Sequence, residues 1–457
     1  MRRQRGAREK PKGGLAQLRP NVAGIDVGSR EHWVCAPRHP DGKTNVRTFR
    51  TTTPELERLA AWLEDQGVVS VAMESTGIYW IPIYELLESR GIEVVLVNAR
   101  HLSGVPGRKT DMIDCQWLQT LHSCGLLRGS FRPTESICRL RALQRERANL
   151  VAERTRIVQR MQKALDQMNV QVHHAVANLA GKTGLSIVRA IDAGERNPAQ
   201  LAKLRDARCR KSEAQIAEHL TGNWREEHLF NLKMGLQRYD QINRIIDEYD
   251  AQLGRWITEL QPPQRRDENV PPHPNAAKER AIRTRGEGPK RDALWRAAGV
   301  DLTHIDGIGA PAAEIVLSEV GLELSKFPDE RHFISWLRLS PKLSISAGKP
   351  VLKRKNGTGA TRVAGVLRMA AVAVSHSNTA LGGYYRRIAR RRGGAVATFA
   401  TARKLAALIF RMLRYGQDYV DEGLAAYEAR FQQRRLHQIK ETARQLGYQL
   451  MPALEGT

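Results

Sequence analysis

The chain has 457 residues, which is more than one ordinary domain contains. Its 73 Lys and Arg exceed its 48 Asp and Glu and give a formal net charge of +25. This charge predicts a polyanionic partner, and nucleic acid is the first candidate because each neutralised phosphate releases counterions. No apolar run approaches a membrane span, and the start has no secretory hydrophobic segment, so we expect no membrane partner. Residues 1–20 are interpreted as a disordered basic arm.

The cysteines indicate a reducing compartment. They are odd in number and none forms a CxxC pair, which argues against a disulfide framework and against a structural zinc site. Their positions are Cys35, Cys115, Cys124, Cys138 and Cys209. The sequence therefore predicts a cytoplasmic protein.

Residues 21–132 have the pattern of an α/β domain. Three extended runs come first, with a hairpin turn at Asp41-Gly42 between the second and the third. An amphipathic helix, a buried strand, a second helix, another buried strand and a last helix follow. Antiparallel strands followed by parallel crossovers are the order of a ribonuclease H-like, or RuvC-like, domain, which is the fold that we predict here.

Four carboxylates in this domain are candidates for a metal site. Asp111 and Asp114 stand three residues apart at the start of the last helix, where acidic residues also favour the helix dipole. Asp26 lies inside an apolar strand, and Glu74 ends the strand expected to pair beside it. In a ribonuclease H-like domain these elements converge, and four carboxylates at one site require cations. Oxygen ligands select Mg²⁺ or Mn²⁺.

Residues 133–260 are predicted to form a coiled-coil and helical region. Leu143, Leu150, Ile157 and Ala164 recur at a spacing of seven, with Arg and Glu between them. This repeat indicates a long helical coiled-coil arm, and a long helix packed within one subunit is equally compatible with it. The pattern does not indicate what residues 173–260 bind.

The rest of the chain divides into three predicted segments. Residues 261–296 are rich in Pro and charge and are interpreted as a linker. Residues 297–422 form a mainly α C-terminal domain, and residues 423–457 a helical tail. The Gly307-Ile308-Gly309 turn resembles a helix-hairpin-helix segment, in which Gly307 and Gly309 can offer backbone N–H groups to a DNA phosphate. A plain helical turn is the alternative.

Basic residues are concentrated around the candidate site and in the C-terminal domain, and we expect them to contact nucleic acid. They are Arg108 and Lys109; Lys349, Lys353, Arg354 and Lys355; and Arg390, Arg391 and Arg392.

Three acidic motifs together resemble a known family. "GIDVGS", "AMESTGIYW" and "GRKTDMIDC" are similar to the motifs of the DEDD transposases of the insertion sequence one-ten family, whose N-terminal domain is similar to the RuvC junction resolvase. The resemblance covers about residues 20–170 and 300–420. It implies that the four carboxylates are catalytic and bind the metal. Cys115 stands where the family often has Ala, a small change.

The resemblance also implies a nucleophile in the C-terminal domain. The family places a nucleophilic serine before a glycine pair and a lysine. The matching stretch "SISAGK" assigns this role to Ser346, and Ser344 is the second candidate. Ala347 replaces a family glycine. The implied function is transposition through a serine-linked DNA intermediate. The implied partners are double-stranded DNA (element ends and target), a noncoding bridge RNA and further copies of the chain, as a dimer or tetramer in the bacterial cytosol or nucleoid.

Three other functions are considered. A Holliday junction resolvase-like nuclease would use the same carboxylates with water as the nucleophile. A sugar kinase-like ATPase shares the "GIDVGS" pattern, but it needs a second Asp-Gly phosphate loop that the sequence does not show convincingly. A non-catalytic nucleic-acid binder would not need the carboxylates and serine to be intact.

Overall fold

The computed structural model describes residues 17–38, 45–75, 77–98, 111–340, 344–346, 349–351, 361–416 and 423–451. The chain divides into two compact units, Met1–Arg132 and Pro133–Thr457. Most of the predicted basic arm at residues 1–20 lies outside the described residues. The same is true of five basic residues expected to contact nucleic acid: Arg108, Lys109, Lys353, Arg354 and Lys355.

The first unit contains a five-stranded mixed sheet. In chain order its elements are β1 (Val22–Val27), β2 (Glu31–Ala36), β3 (Asn45–Arg50), α1 (Thr53–Asp65), β4 (Ser70–Glu74), α2 (Trp80–Ser89), β5 (Glu93–Val97) and α3 (Asp111–Ser123). The strand order is β3-β2-β1-β4-β5, with antiparallel pairing from β3 to β1 and parallel pairing from β1 to β5. This arrangement fits the predicted ribonuclease H-like domain.

The alternation of side chains along β1 determines which helices cover each face of the sheet. Ala23 and Ile25 are fully buried in a core with Leu59 of α1 and Leu87 of α2. Residues between them point to the opposite face because successive strand side chains alternate. That opposite face carries Gly24 and is covered by α3.

The second unit is mainly helical. Its first part contains α4 (Glu135–Gln167), α5 (Val172–Ala175), α6 (Lys182–Asp192), α7 (Pro198–Ala202), α8 (Glu213–Leu220) and α9 (Glu226–Glu259). Its second part contains α10 (Ala276–Thr284), α11 (Gly288–Ala298), α12 (Ala310–Val320), α13 (Glu330–Trp336), β6 (Ser344–Ser346), β7 (Lys349–Val351), α14 (Arg362–Val374), α15 (Ala380–Arg392), α16 (Gly394–Tyr415) and α17 (Gly423–Gln445). No helix in the described ranges is long and apolar enough to cross a membrane.

The predicted arm is an antiparallel pair of long helices within one chain. Ile157 and Ala164 of α4, both from the seven-residue repeat, are buried in a core that α9 shares, and Leu150 packs against it. The Arg147 guanidinium donates to both carboxylate oxygens of Asp250 on α9, at 2.9 and 2.7 Å. The repeat therefore has a partner helix in its own chain, and pairing between subunits stays a prediction.

The segment predicted as a linker differs from the expectation. Residues 261–296 include α10 and most of α11. The Arg291 side chain is only 3% exposed and donates to Asp301 at 2.6 Å and to the Pro271 carbonyl at 2.8 Å. Arg291, one of the charges that gave this segment a linker-like composition, is thus paired within the fold, and such pairing is not visible in composition.

The predicted helix-hairpin-helix is not confirmed. Gly309 caps the start of α12, but the element before the turn is a short 3-10 helix, Leu302–His304. Gly307 has φ +84°, a conformation that favours glycine, and a Cβ there would lie 2.7 Å from the carbonyl oxygen of Ala370 on α14. Packing against α14 therefore gives a structural reason for this glycine.

Candidate active site

α3 lies directly on β1 because Gly24 has no side chain. A Cβ at this position would lie 2.3 Å from the carbonyl oxygen of Cys115 and 2.4 Å from the backbone nitrogen of Gln119. Both distances are far below an ordinary carbon contact, which is about 3.5–4.0 Å. Any larger residue at Gly24 would displace α3 from the sheet.

Two polar contacts fix the direction of α3. The Oγ of Ser70, the first residue of β4, lies 2.8 Å from Nε2 of His122 near the end of α3. The side-chain amide of Gln119 donates to the carbonyl of Val22, the first residue of β1, at 3.4 Å. The end of α3 is therefore next to the amino ends of β1 and β4. Its first turn lies toward their carboxyl ends.

Asp26 and Glu74 occupy adjacent positions on neighbouring strands. Ile25 and Met73 are paired in register between β1 and β4, and both are fully buried on the far face of the sheet. Asp26 and Glu74 are the next residues along the two parallel strands, so they point to the face that α3 covers. Both are half-buried. The parallel pairing thus brings two carboxylates together at the carboxyl ends of the two central strands β1 and β4.

The first turn of α3 approaches these carboxylates. The pKa of the Cys115 thiol is raised, first by its hydrogen bond with the Cys35 thiol and by burial, and also by the negative charge of Asp26. The geometry agrees, because Gly24, two residues before Asp26, lies against the backbone of Cys115, the residue that follows Asp114. Asp114 is half-buried, and Asp111 is the first residue of α3, with its side chain outside the described part of the structure.

The residues at these strand ends fit a hard divalent cation by their chemistry. Carboxylate oxygens are the ligands that Mg²⁺ and Mn²⁺ prefer, and half-buried carboxylates held near one another gain from a cation between them. Among the side chains that the structure describes, no group of three or more His, Cys, Asp or Glu is arranged to hold a metal ion. Asp26, Glu74 and Asp114 are among those described side chains and are not gathered as such a group, and the side chain of Asp111, the third of the four predicted ligands, is outside the described part.

Ser346 and Ser344 belong to the second unit. They lie in β6, which pairs antiparallel with β7, and the backbone register places Ser346 opposite Lys349 and Ser344 opposite Val351. Ser346 ends β6 immediately before residues 347–348, which are not described. The predicted nucleophile is therefore the last residue of a strand in a short hairpin.

Arg390, Arg391 and Arg392 form the last turn of α15 and are all exposed. Among the residues that the structure describes, no carboxylate forms an ion pair with any of them. Cations at the end of a helix also favour its dipole, so their position has a structural explanation as well. Exposure and the lack of such pairs leave them accessible to phosphate groups.

Sequence reasoning missed a cluster of cations and aromatic rings between α15, α16 and α17. The Arg387 guanidinium lies over Phe431 at 3.5 Å and over Tyr427 at 4.4 Å from the ring centroids. The Lys404 ammonium lies 4.8 Å from the centroid of Tyr384 and 5.6 Å from that of Tyr427. Burial and the neighbouring arginines lower the pKa of Lys404. The "YYRRIARRR" stretch indicated Tyr384 and Arg387 as an aromatic and basic pair. No sequence pattern indicated that Tyr427 and Phe431 of α17 would pack against them.

Two family models match the chain. Residues 23–170 match a DEDD transposase model of the IS110 (insertion sequence one-ten) family, and residues 299–386 match the transposase IS116/IS110/IS902 family. The chain belongs to the IS110 family of transposases. The resemblance seen in the three acidic motifs is thereby confirmed. A search of curated proteins found no match.

Membership of the IS110 family defines the general activity. This transposase is an enzyme of an insertion sequence that cleaves and recombines DNA, and DNA is its substrate. DEDD domains of this kind generally use divalent metal ions. The segment between the two matches, residues 171–298, is covered by neither model.

Proposed function

We propose that this transposase cleaves and joins DNA through a covalent serine intermediate. Ser346 is the nucleophile, and Asp26, Glu74, Asp111 and Asp114 hold Mg²⁺ or Mn²⁺. The observation that supports the proposal most is the adjacent position of Asp26 and Glu74 on two parallel strands, below the first turn of α3.

The proposed carboxylates are on rigid elements. Asp26 and Glu74 extend from paired strands, and Asp114 is on a helix held against β1 by the contact at Gly24. Such support keeps ligands and phosphate in a fixed geometry, from which positioning derives its catalytic effect. A bound divalent cation would supply the positive charge that stabilises the attacking and leaving oxygens of a phosphoryl transfer.

The serine step conserves the energy of the phosphodiester. The Oγ of Ser346 forms a bond to phosphorus while the bond from phosphorus to one deoxyribose oxygen breaks. The serine proton leaves to a base, and the released deoxyribose oxygen takes up a proton. A second DNA hydroxyl then attacks the same phosphorus and releases the serine. One P–O bond replaces another at each step, so joining requires no external energy source.

The proposed partners follow from the family resemblance and from charge. A bridge RNA would pair with the element ends and the target, and a dimer or tetramer would supply several copies of each catalytic residue. The net charge of +25 supports a chain that holds two polyanions. Arg390, Arg391 and Arg392, all exposed, are the proposed contacts in the C-terminal domain.

A denaturing gel of the full-length protein with end-labelled DNA tests the nucleophile. The wild-type protein and Ser344→Ala should form a covalent protein–DNA adduct, and Ser346→Ala should form none. Loss of the adduct in Ser344→Ala alone would transfer the role to Ser344. If both variants still cleave and no adduct forms, water is the nucleophile, and the chain acts as a junction resolvase-like nuclease.

A further inference from the structure

The helical segment that connects α4 to α9 contains a surface cavity of about 630 Å³. This volume falls within the range of about 300–1,000 Å³ that is typical of ligand pockets. Three stretches of the chain line it, within residues 173–178, 181–183 and 206–211. The cavity lies in the part of the chain that neither family model covers.

The lining of the cavity is strongly basic. Its charged side chains are the cations Lys182, Arg208, Arg210 and Lys211 and one carboxylate, Asp206, with His173 and His174 beside them. Asp206 lies 3.1 Å from the Lys182 ammonium and 2.9 Å from the Arg208 guanidinium. Hydrogen bonds from Arg208, followed by one from Lys182, lower the pKa of Asp206. It therefore stays ionised and holds two cations at the rim.

The remaining two cations are not neutralised by a carboxylate of the described structure. The Lys211 ammonium donates to the carbonyl of His174 and lies 3.2 Å from Nε2 of His219. These partners fix its position without cancelling its charge. Arg210 is exposed, and no described carboxylate forms an ion pair with it. The cavity thus presents an excess of positive charge.

The amino end of α6 lies at the cavity, where the N–H of its N-cap residue Gly181 donates to the Asn178 carbonyl at 3.1 Å. Gly181 is its N-cap and provides no side-chain acceptor, and Gly181, Lys182 and Thr183 all line the cavity. The Thr183 hydroxyl accepts a hydrogen bond from the backbone N–H of Asp206 at 3.0 Å, which joins two of the lining stretches. A helix amino end carries partial positive charge and binds phosphate groups.

We propose that this cavity binds phosphate groups of the nucleic-acid backbone. Four cationic side chains and one carboxylate line it, and this excess of positive charge favours an anionic ligand. The nucleic acid is the favoured source of phosphate because the chain acts on DNA and has a net charge of +25. The inference rests on the nucleic-acid substrate and not on the serine or metal chemistry, so binding alone can test it.

The test compares two double variants of the full-length protein that lose the same charge. Lys182→Gln with Arg210→Gln removes two cations of the cavity. Arg156→Gln with Lys203→Gln removes two exposed cations from α4 and from the end of α7, outside the lining. Affinity for a labelled DNA duplex and for a labelled RNA hairpin is measured at several salt concentrations.

The cavity variant should bind at least one probe more weakly, and its plot of log affinity against log salt should lose about 0.7–0.9 in slope for each phosphate contact removed. The control variant should keep the wild-type slope. Equal losses in both variants, or no loss in the cavity variant, would overturn the proposal. If inorganic phosphate stabilises the wild-type protein but not the cavity variant, and the cavity variant binds both probes as tightly as the wild type does, the cavity binds free phosphate. That result would overturn the proposal too.

A second measurement does not depend on the folding of variants. The Lys182 side chain is 78% exposed, so it can be acetylated in the wild-type protein, as can the exposed Lys203. Bound nucleic acid should protect Lys182 and leave Lys203 reactive. Equal reactivity of Lys182 with and without nucleic acid would contradict occupation of the cavity.

Discussion

The Oγ of Ser70 lies 2.8 Å from Nε2 of His122, and both side chains are buried. This contact joins the start of β4 to the last turns of α3, while Gly24 holds the middle of the helix against β1. Buried packing at two points therefore positions α3. These two contacts therefore determine the place of the first turn, which carries Asp114.

The Ser70–His122 pair predicts a loss of stability in acid. Burial lowers the pKa of His122 below its ordinary value of 6.5, and the charge of Arg19 lowers it further. At pH values between the lowered pKa of the folded state and the ordinary pKa of about 6.5, the unfolded chain binds a proton that the folded chain does not. The free energy of unfolding therefore falls as pH drops below about 6.5. His32, whose pKa is also lowered by burial, contributes with the same sign.

Thermal unfolding at about pH 7.5 and about pH 5.5 measures this effect. His122→Gln keeps a hydrogen-bonding group for Ser70 but does not titrate, so its melting temperature should fall less than that of the wild-type protein. Ser70→Ala is the matched control, because it removes the hydrogen bond and retains the histidine. It should be less stable at both pH values and keep a clear acid-induced drop. An identical drop in His122→Gln and wild type would contradict the prediction.

Gly24→Ala is expected to destabilise the protein by about 1–3 kcal/mol, the usual cost of an overpacked core. The new Cβ would lie 2.3 Å from the Cys115 carbonyl oxygen and would displace α3. Gly254→Ala in α9 is the control, because nothing lies within 4 Å of its Cβ position. It should be stabilised by about 0.5–1 kcal/mol through helix propensity. Chemical denaturation measures both. Equal stability of the two variants would contradict the close approach of α3 to β1.

Neutralising a strand carboxylate should stop cleavage without stopping DNA binding. Asp26→Asn or Glu74→Gln should lower the cleavage rate by on the order of a hundredfold or more, as when a group that stabilises transition-state charge is lost. Binding should persist because each change makes the chain more basic. Asp65→Asn, an exposed residue at the end of α1, should cleave normally. Wild-type activity should require Mg²⁺ or Mn²⁺, and full cleavage in a chelator would refute the metal site.

The N-terminal fold was predictable because its signals are local. Apolar runs and turn residues mark the strands, and the crossover order determines that β4 lies beside β1. The adjacency of Asp26 and Glu74 follows from that pairing. The sequence could not show why residue 24 has to be a glycine, because its contact with Cys115 joins residues far apart in the chain.

Helix pairing was harder to predict than helix formation. The seven-residue spacing that includes Ile157 correctly indicated a long helix with an apolar side. It could not distinguish a second subunit from α9, because either would cover that side with the same kinds of residues. In the structure Met161 and Leu236 belong to one core of α4 and α9. Replacing Ile157 with Lys would therefore disrupt the arm itself.

The segment at residues 261–296 is expected to resist limited proteolysis at native pH, because its helices are packed and Arg291 is buried. Arg291→Met leaves the Asp301 carboxylate buried without this cation and should cost about 3–5 kcal/mol. It should also expose the segment to protease. Arg280→Met, at an exposed position of α10, should change neither property. Rapid cleavage of the wild-type protein within this segment would favour the linker instead.

The proposed oligomer predicts complementation between two inactive variants. Ser346→Ala retains the carboxylates and Asp26→Ala retains the serine, so neither alone should join DNA strands. If one subunit's carboxylates act with the serine of another, a mixed oligomer contains composite sites with every group. Co-expression with two different affinity tags, followed by purification on both, isolates mixed oligomers without relying on subunit exchange. These should form the covalent DNA adduct at a fraction of the wild-type level. A doubly purified but inactive mixture would show that each site is built from a single chain.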